Sequence, residues 1–186
     1  EEVAILDPTG QLTLVDAASG RTRWQSQLGA EPQLDRVIVA RGPERYVVIA
    51  NRSPIVTVQQ QVHPIKYGVE CPVVSGTIYG LDRDTGRKQW GGVPVERQTV
   101  DPAEPLTLPV LFFSSRRFES VPGANSFDNY YSYLALDQRT GKILDEHRAK
   151  PEGLFAWNPD VEWDKKQLTY RIGRATLRLK FTDGPE

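Results

Sequence analysis

Three carboxylates at alternate positions, Asp160, Glu162 and Asp164, have the types and spacing for chemistry. On an extended segment they share one face, and oxygen-rich clusters suit hard cations such as calcium. The spacing matches no dedicated calcium loop, and Lys165 and Lys166 follow directly, so the plainer reading is a solvated turn whose charges neutralise one another. His63 precedes Pro64 and His147 follows Asp145-Glu146. Neither has a partner at the spacing of a metal site or of a nucleophile–base–orienter set, and both read as surface histidines. Cys71, the single cysteine, rules out an intramolecular disulfide and reads as a small apolar residue rather than a reactive thiol. The best recognition chemistry lies between Phe118 and Tyr133, where Phe118, Asn125, Phe127, Tyr130 and Tyr131 form a candidate interaction loop rich in common contact residues. Tyr131 and Tyr133 also alternate as strand residues do, so part of this aromatic content belongs to packing. No catalytic, cofactor-binding or metal-binding residue is assigned.

A repeated element must position these side chains. The stretch Gly76-Thr-Ile-Tyr-Gly-Leu-Asp-Arg-Asp-Thr-Gly-Arg-Lys-Gln-Trp90 returns in related form from Gly10 to Trp24 and from Tyr131 to Asp145. Each copy opens with an apolar strand that ends at Asp16, Asp82 or Asp137. That carboxylate can turn back onto backbone N–H groups two or three residues on, and Ser19, Thr85 or Thr140 adds a hydroxyl. Gly20, Gly86 and Gly141 supply the positive φ that closes a tight hairpin. The next strand starts with Arg21, Arg87 or Lys142 and brings Trp24 or Trp90 three residues later, a side chain large enough to fill the seam between adjacent sheets. Both indoles are predicted to lie buried in such seams. Asp145 stands at that place in the third copy, whose seam must be filled differently.

The repeat aspartates Asp16 and Asp82 are 66 residues apart, and Asp82 and Asp137 are 55 apart. These spacings are too long for one hairpin but suit a four-stranded blade with extended loops, and internal repeats of roughly 40–50 residues mark propellers and related arrays. The pattern resembles the tryptophan-docking repeat of the PQQ-like β-propeller family, which includes quinoprotein dehydrogenases and the propeller lipoprotein of outer-membrane barrel assembly. Gly80-Leu-Asp82-Arg-Asp-Thr85-Gly86-Arg87-Lys-Gln-Trp90 carries the fullest match, and Ala135 to Lys142 matches up to the missing tryptophan. The resemblance implies an all-β segment of about three to four four-stranded antiparallel blades, with residues 1–186 as one propeller domain or part of one. It also implies a bacterial, periplasmic or otherwise extracytoplasmic home. The enzymes of the family hold a quinone on the propeller axis beside a calcium, many of them beneath a disulfide of adjacent cysteines. One cysteine cannot make that disulfide, and this chain offers fewer than half the blades of such an enzyme, so no cofactor is expected.

Composition narrows the partners. The chain is 39% apolar and 25% charged with net charge −1, and it lacks the basic block that nucleic-acid binding requires. Its apolar runs, such as Arg36 to Ala40 and Tyr46 to Ala50, are strand-sized and far short of the roughly 20 residues of a membrane-spanning helix. The absence of methionine implies a processed chain or a segment of a longer one, and the first repeat reads as starting mid-blade. Further strands are expected at Val3–Leu6, Arg36–Ala40, Arg45–Asn51, within Pro105–Ser114, at Gln167–Ile172 and at Ala175–Phe181. Ser53–Ser75 and Arg116–Tyr131 read as long insertions and Pro94–Glu104 as a polar connector. No helix of more than about two turns is expected.

The expected function is a non-catalytic scaffold or protein-interaction module, its partner a protein or further blades of the same polypeptide. A fragment of a PQQ-dependent dehydrogenase is one alternative, distinguished by axial calcium and quinone absorbance. A carbohydrate- or polymer-binding propeller is another, distinguished by an exposed aromatic groove. The arc is predicted to be completed by more blades upstream or by another subunit; the alternative is a compact four-bladed ring in which the strands after Phe155 pair with Val3–Leu6.

Overall fold

The computed structural model describes residues 1–52, 60–62, 65–66, 69–100, 108–121, 123, 126–150, 160–172 and 175–181. The first sheet is β1 (Glu2–Leu6), β2 (Gln11–Asp16) and β3 (Thr22–Gln27). After β4 (Leu34–Arg41) and β5 (Arg45–Arg52) come three short strands, β6 (Gln60–Val62), β7 (Ile65–Lys66) and β8 (Val69–Glu70). The long hairpin of β9 (Val73–Asp82) and β10 (Lys88–Val100) completes a second layer ordered β4-β5-β9-β10. A third layer follows from β11 (Val110–Ser120), β12 (Phe127–Asp137) and β13 (Ile143–Ala149), and a fourth from β14 (Asp160–Glu162), β15 (Gln167–Ile172) and β16 (Ala175–Lys180). Every pairing among the described residues is antiparallel. The second and third layers share ladder bonds where Thr99 and Val100 meet Ser114 and Phe113, and β6 adds to the far end of β11.

Alternation along the central strands explains the layering, because successive side chains of a strand point to opposite faces. Tyr46, Val48 and Ala50 of β5 join Leu12, Leu14 and Trp24 in one core, whereas Val47 and Ile49 join Leu111, Phe113, Leu134 and Leu136 in a second. Val110 and Phe112 of β11 and Ala135 of β12 turn the other way, into a third core with Leu168 and Tyr170. The inner layers are therefore apolar on both faces, and their strands read as continuous hydrophobic runs. Sheets stacked face to face in chain order around successive cores make a nearly all-β, propeller-type fold. Among the described residues no strand pairing joins β1 to the fourth layer.

Several expectations change. Of the polar connector expected over Pro94–Glu104, Pro94–Val100 is strand: β10 runs through Pro94, which pairs with Thr77, and reaches Val100, and the rest lies outside the described residues. The missing N–H of Pro94 is tolerated because the strand is irregular there, with register shifts between Gly91 and Val93 and between Val95 and Gln98. The insertion expected over Arg116–Tyr131 is mostly a β-hairpin, since Phe118 lies in β11 and Phe127, Tyr130 and Tyr131 lie in β12. Aromatic residues favour a pleated, half-buried surface, and here that preference extends the ladder to Ser120 opposite Phe127. The insertion expected up to Ser75 ends earlier, because β9 begins at Val73. Trp163–Lys165 form a single 3₁₀ turn, the only helical element among the described residues.

Candidate functional site

The three repeat turns are built alike. Asp82 accepts from the backbone N–H groups of Asp84 (3.2 Å) and Thr85 (2.9 Å) and from the Thr85 hydroxyl (2.7 Å). Asp16 does the same with the Ser19 N–H (2.8 Å) and hydroxyl (2.7 Å), and Asp137 with the N–H groups of Arg139 (2.7 Å) and Thr140 (2.9 Å). These bonds favour the ionised form. The side-chain bonds from Ser19 and Thr85, then the backbone bonds beside them, hold Asp16 and Asp82 below the ordinary carboxylate value. Gly20, Gly86 and Gly141 adopt φ of +69°, +71° and +70°, the left-handed region that L side chains avoid.

Two of these turns seat an indole from the preceding layer. The Trp24 Nε1–H donates to the Arg83 carbonyl at 3.1 Å, and its ring lies over Gly86. The Trp90 Nε1–H donates to the Gln138 carbonyl at 3.0 Å, and its ring lies over Gly141. Trp24 is buried and tilts against Tyr46 with centroids 5.7 Å apart, while Trp90 is only half-buried, short of the burial expected for both. Arg45 braces the second seam by donating to the carbonyls of Gln138 (3.1 Å) and Arg139 (2.8 Å).

The third seam has no indole. Tyr133 donates to Asp145 at 2.6 Å, and burial together with that carboxylate pushes its phenol above the ordinary tyrosine range. The space is filled by stacked rings instead: Phe112 lies 4.0 Å from Tyr170 and 5.6 Å from Tyr133, centroid to centroid.

The aromatic hairpin is a laminate of rings and cations. The Arg116 guanidinium lies 4.9 Å from the Phe118 ring centre and 5.7 Å from that of Tyr131, and its Nε–H donates to Asn129 at 3.2 Å. Tyr130 is covered by Arg148 at 4.4 Å and Lys150 at 5.8 Å. Its hydroxyl donates to Asp128, which also pairs with Lys150 at 3.0 Å and is held below the carboxylate range mainly by that bond. Asn125 lies outside the described residues, and the Phe127 side chain does too. Beside Arg148 opens a cleft of about 470 Å³ between β10 and the β12–β13 ladder, lined by Glu96, Gln98, Arg117, Tyr133, Glu146 and His147 among others. Three of its lining residues are tied through buried Ser115: Gln98 donates to Ser132 (3.1 Å), Ser132 meets Ser115 (2.8 Å) and Arg117 donates to Ser115 (3.1 Å). Sequence reasoning missed the cleft because its residues come from strands far apart in the chain.

The remaining chemical candidates disperse. The strand ends at Glu162, and Asp164 enters the 3₁₀ turn, so the three carboxylates do not share an extended face. Glu162 is ion-paired with Lys165 and accepts from Gln167. His147 is exposed near the Tyr133 ring, Cys71 is buried, and His63 lies outside the described residues. Among the described residues no three His, Cys, Asp or Glu side chains are placed together to hold a metal ion.

No family model and no curated protein sequence matches the chain. Among solved structures, a quinohemoprotein alcohol dehydrogenase from Pseudomonas putida HK5 is similar over 81% of this chain and 25% of its own, at 17% identity and a TM-score of 0.41. BamB from Moraxella catarrhalis is similar over 97% of this chain and 74% of its own, at 15% identity and a TM-score of 0.26. The chain thus spans a quarter of the dehydrogenase and about three quarters of BamB.

Proposed function

We propose that this chain is a non-catalytic, propeller-type scaffold working outside the cytoplasm of a bacterium, with the β11–β12 hairpin and the adjoining cleft as its protein-interaction surface. One observation carries the reading: Arg116 spans Phe118 and Tyr131 while Arg148 and Lys150 cover Tyr130. Aromatic and arginine side chains fixed on a sheet give large contact area at low entropic cost, the composition of interface hot spots. The extracytoplasmic setting is supported by the resemblance of the repeats.

The test uses a photocrosslinker at Tyr131, with the same group at Arg178 on the fourth layer as control, in extracytoplasmic extract. One protein captured from position 131 alone, and lost in the Arg116→Ala/Tyr130→Ala variant at unchanged melting temperature, supports the reading. Equal capture from both positions overturns the surface assignment. Calcium-dependent binding of pyrroloquinoline quinone, followed by dye reduction on adding alcohol or sugar, overturns the scaffold.

A further inference from the structure

The same positions face the preceding layer each time. In the second layer Tyr46, Val48, Tyr79 and Leu81 pack against the first layer. In the third, Leu111, Phe113, Leu134 and Leu136 pack against the second. Counting from the pairs Arg45↔Asp82, Val110↔Asp137 and Glu2↔Asp16, the matching residues of the first layer are Val3, Ile5, Thr13 and Val15. Their neighbours Ala4, Leu6, Leu12 and Leu14 already serve the core with the second layer, so this set faces the other way. Val3 and Ile5 are 47% and 55% exposed, whereas Leu111 and Phe113 at the same register are 8% and 3%. The turn on this side matches too. A Cβ on Gly86 or Gly141 would come within 2.4 Å of an indole, while the space over Gly20 is open.

We propose that the Val3, Ile5, Thr13, Val15 face and the Gly20 turn are the docking surface for one more sheet of this repeat, supplied by polypeptide outside residues 1–186. Its tryptophan lies over Gly20 and donates to the Ala17 carbonyl, as Trp24 and Trp90 do to Arg83 and Gln138, the residues following Asp82 and Asp137. The direction of docking fixes the occupant, because each indole reaches the turn of the next copy along the chain. A second copy of this chain fits poorly. Its free outer face, on the fourth layer, carries exposed Arg171, Arg178 and Lys180, and seating these cations on Val3 and Ile5 would strip their hydration without compensation. The inference rests on repeated packing and is independent of the scaffold reading.

Two experiments test it. Residues 34–108 duplicated ahead of Glu1 place a second Trp90-bearing sheet in register with β1. Hydroxyl-radical labelling of Val3 and Ile5 is expected to fall several-fold, and to return when the added tryptophan is alanine or when Gly20 is replaced by valine. Undiminished labelling overturns the proposal. The second measurement needs no added sheet: N-acetyl-L-tryptophanamide titrated into the unextended chain is expected to shift the Ser19 and Gly20 amides and the Val3 and Ile5 methyls. N-acetyl-L-leucinamide is expected to leave them in place. Scattered shifts, or none, overturn the proposal, as does concentration-dependent self-association that buries Val3 and Ile5 in the unextended chain.

Discussion

Trp24 lies over Gly86, 62 positions further along the chain, so closely that a Cβ on the glycine would fall 2.4 Å from the indole. The contact joins two copies of the repeat through the one residue type that leaves room for it. It also separates the two roles of the turn glycine, a backbone conformation and a platform.

Gly20→Ala and Gly86→Ala should divide those roles. Both carry the left-handed penalty of about 1–2 kcal/mol, but only Gly86→Ala also displaces a buried ring, adding about 1–3 kcal/mol of overpacking. Urea denaturation of the two variants reads the difference. Equal midpoints would show that the indole contact contributes nothing.

Trp24→Ala is expected to destabilise by about 3–5 kcal/mol, the usual range for a buried aromatic. Trp90→Ala should cost less, about 2 kcal/mol, because a half-buried ring removes less apolar area from water. The reverse order in denaturant midpoints would contradict the burial pattern.

Acid should weaken the turns. Asp16 and Asp82 have folded-state pKa values below the unfolded one. Their contribution is therefore present above the unfolded value, about 4, and is lost as pH falls from there through the lowered folded values. Thr85→Val removes the largest cause at Asp82, so a stability profile measured down to pH 2 should fall less steeply than that of the parent. An unchanged acid slope would disprove the role of the hydroxyl.

Alkali acts on the third seam with the opposite sign. The Tyr133 phenol is raised in the folded state, so its contribution is present below the ordinary tyrosine pKa near 10 and is lost as pH rises through the raised value. Tyr133→Phe should flatten the alkaline loss of stability and remove one step lying above the ordinary range from the ultraviolet titration of the tyrosines. If that step persists, another tyrosine carries it.

The sequence made the turns and the sheet stacking legible, because Asp, Thr, Gly and Trp at fixed offsets act locally and the alternation from Tyr46 to Ala50 shows a strand covered on both faces. The course of β10 was hidden, since Pro94 and the charged Glu96-Arg97 look like a connector until the register shifts that accommodate them are seen. The hairpin was misread for a similar reason. Arg116 and Arg117 suggest solvent, whereas Arg116 is laid along aromatic rings and Arg117 reaches Ser115. The cleft beside Arg148 depends on bringing β10 to β12 and β13, a long-range event that no local spacing encodes.

One peptide bond joins Val47 to Val48, yet Val48 keeps company with Leu14 and Val47 with Leu134. Covalent neighbours thus serve separate cores. The strand works as a party wall between rooms that are furnished separately. A lineage can therefore refurnish one seam while the next stays as it was, and a chain of this kind can lengthen or diverge one room at a time.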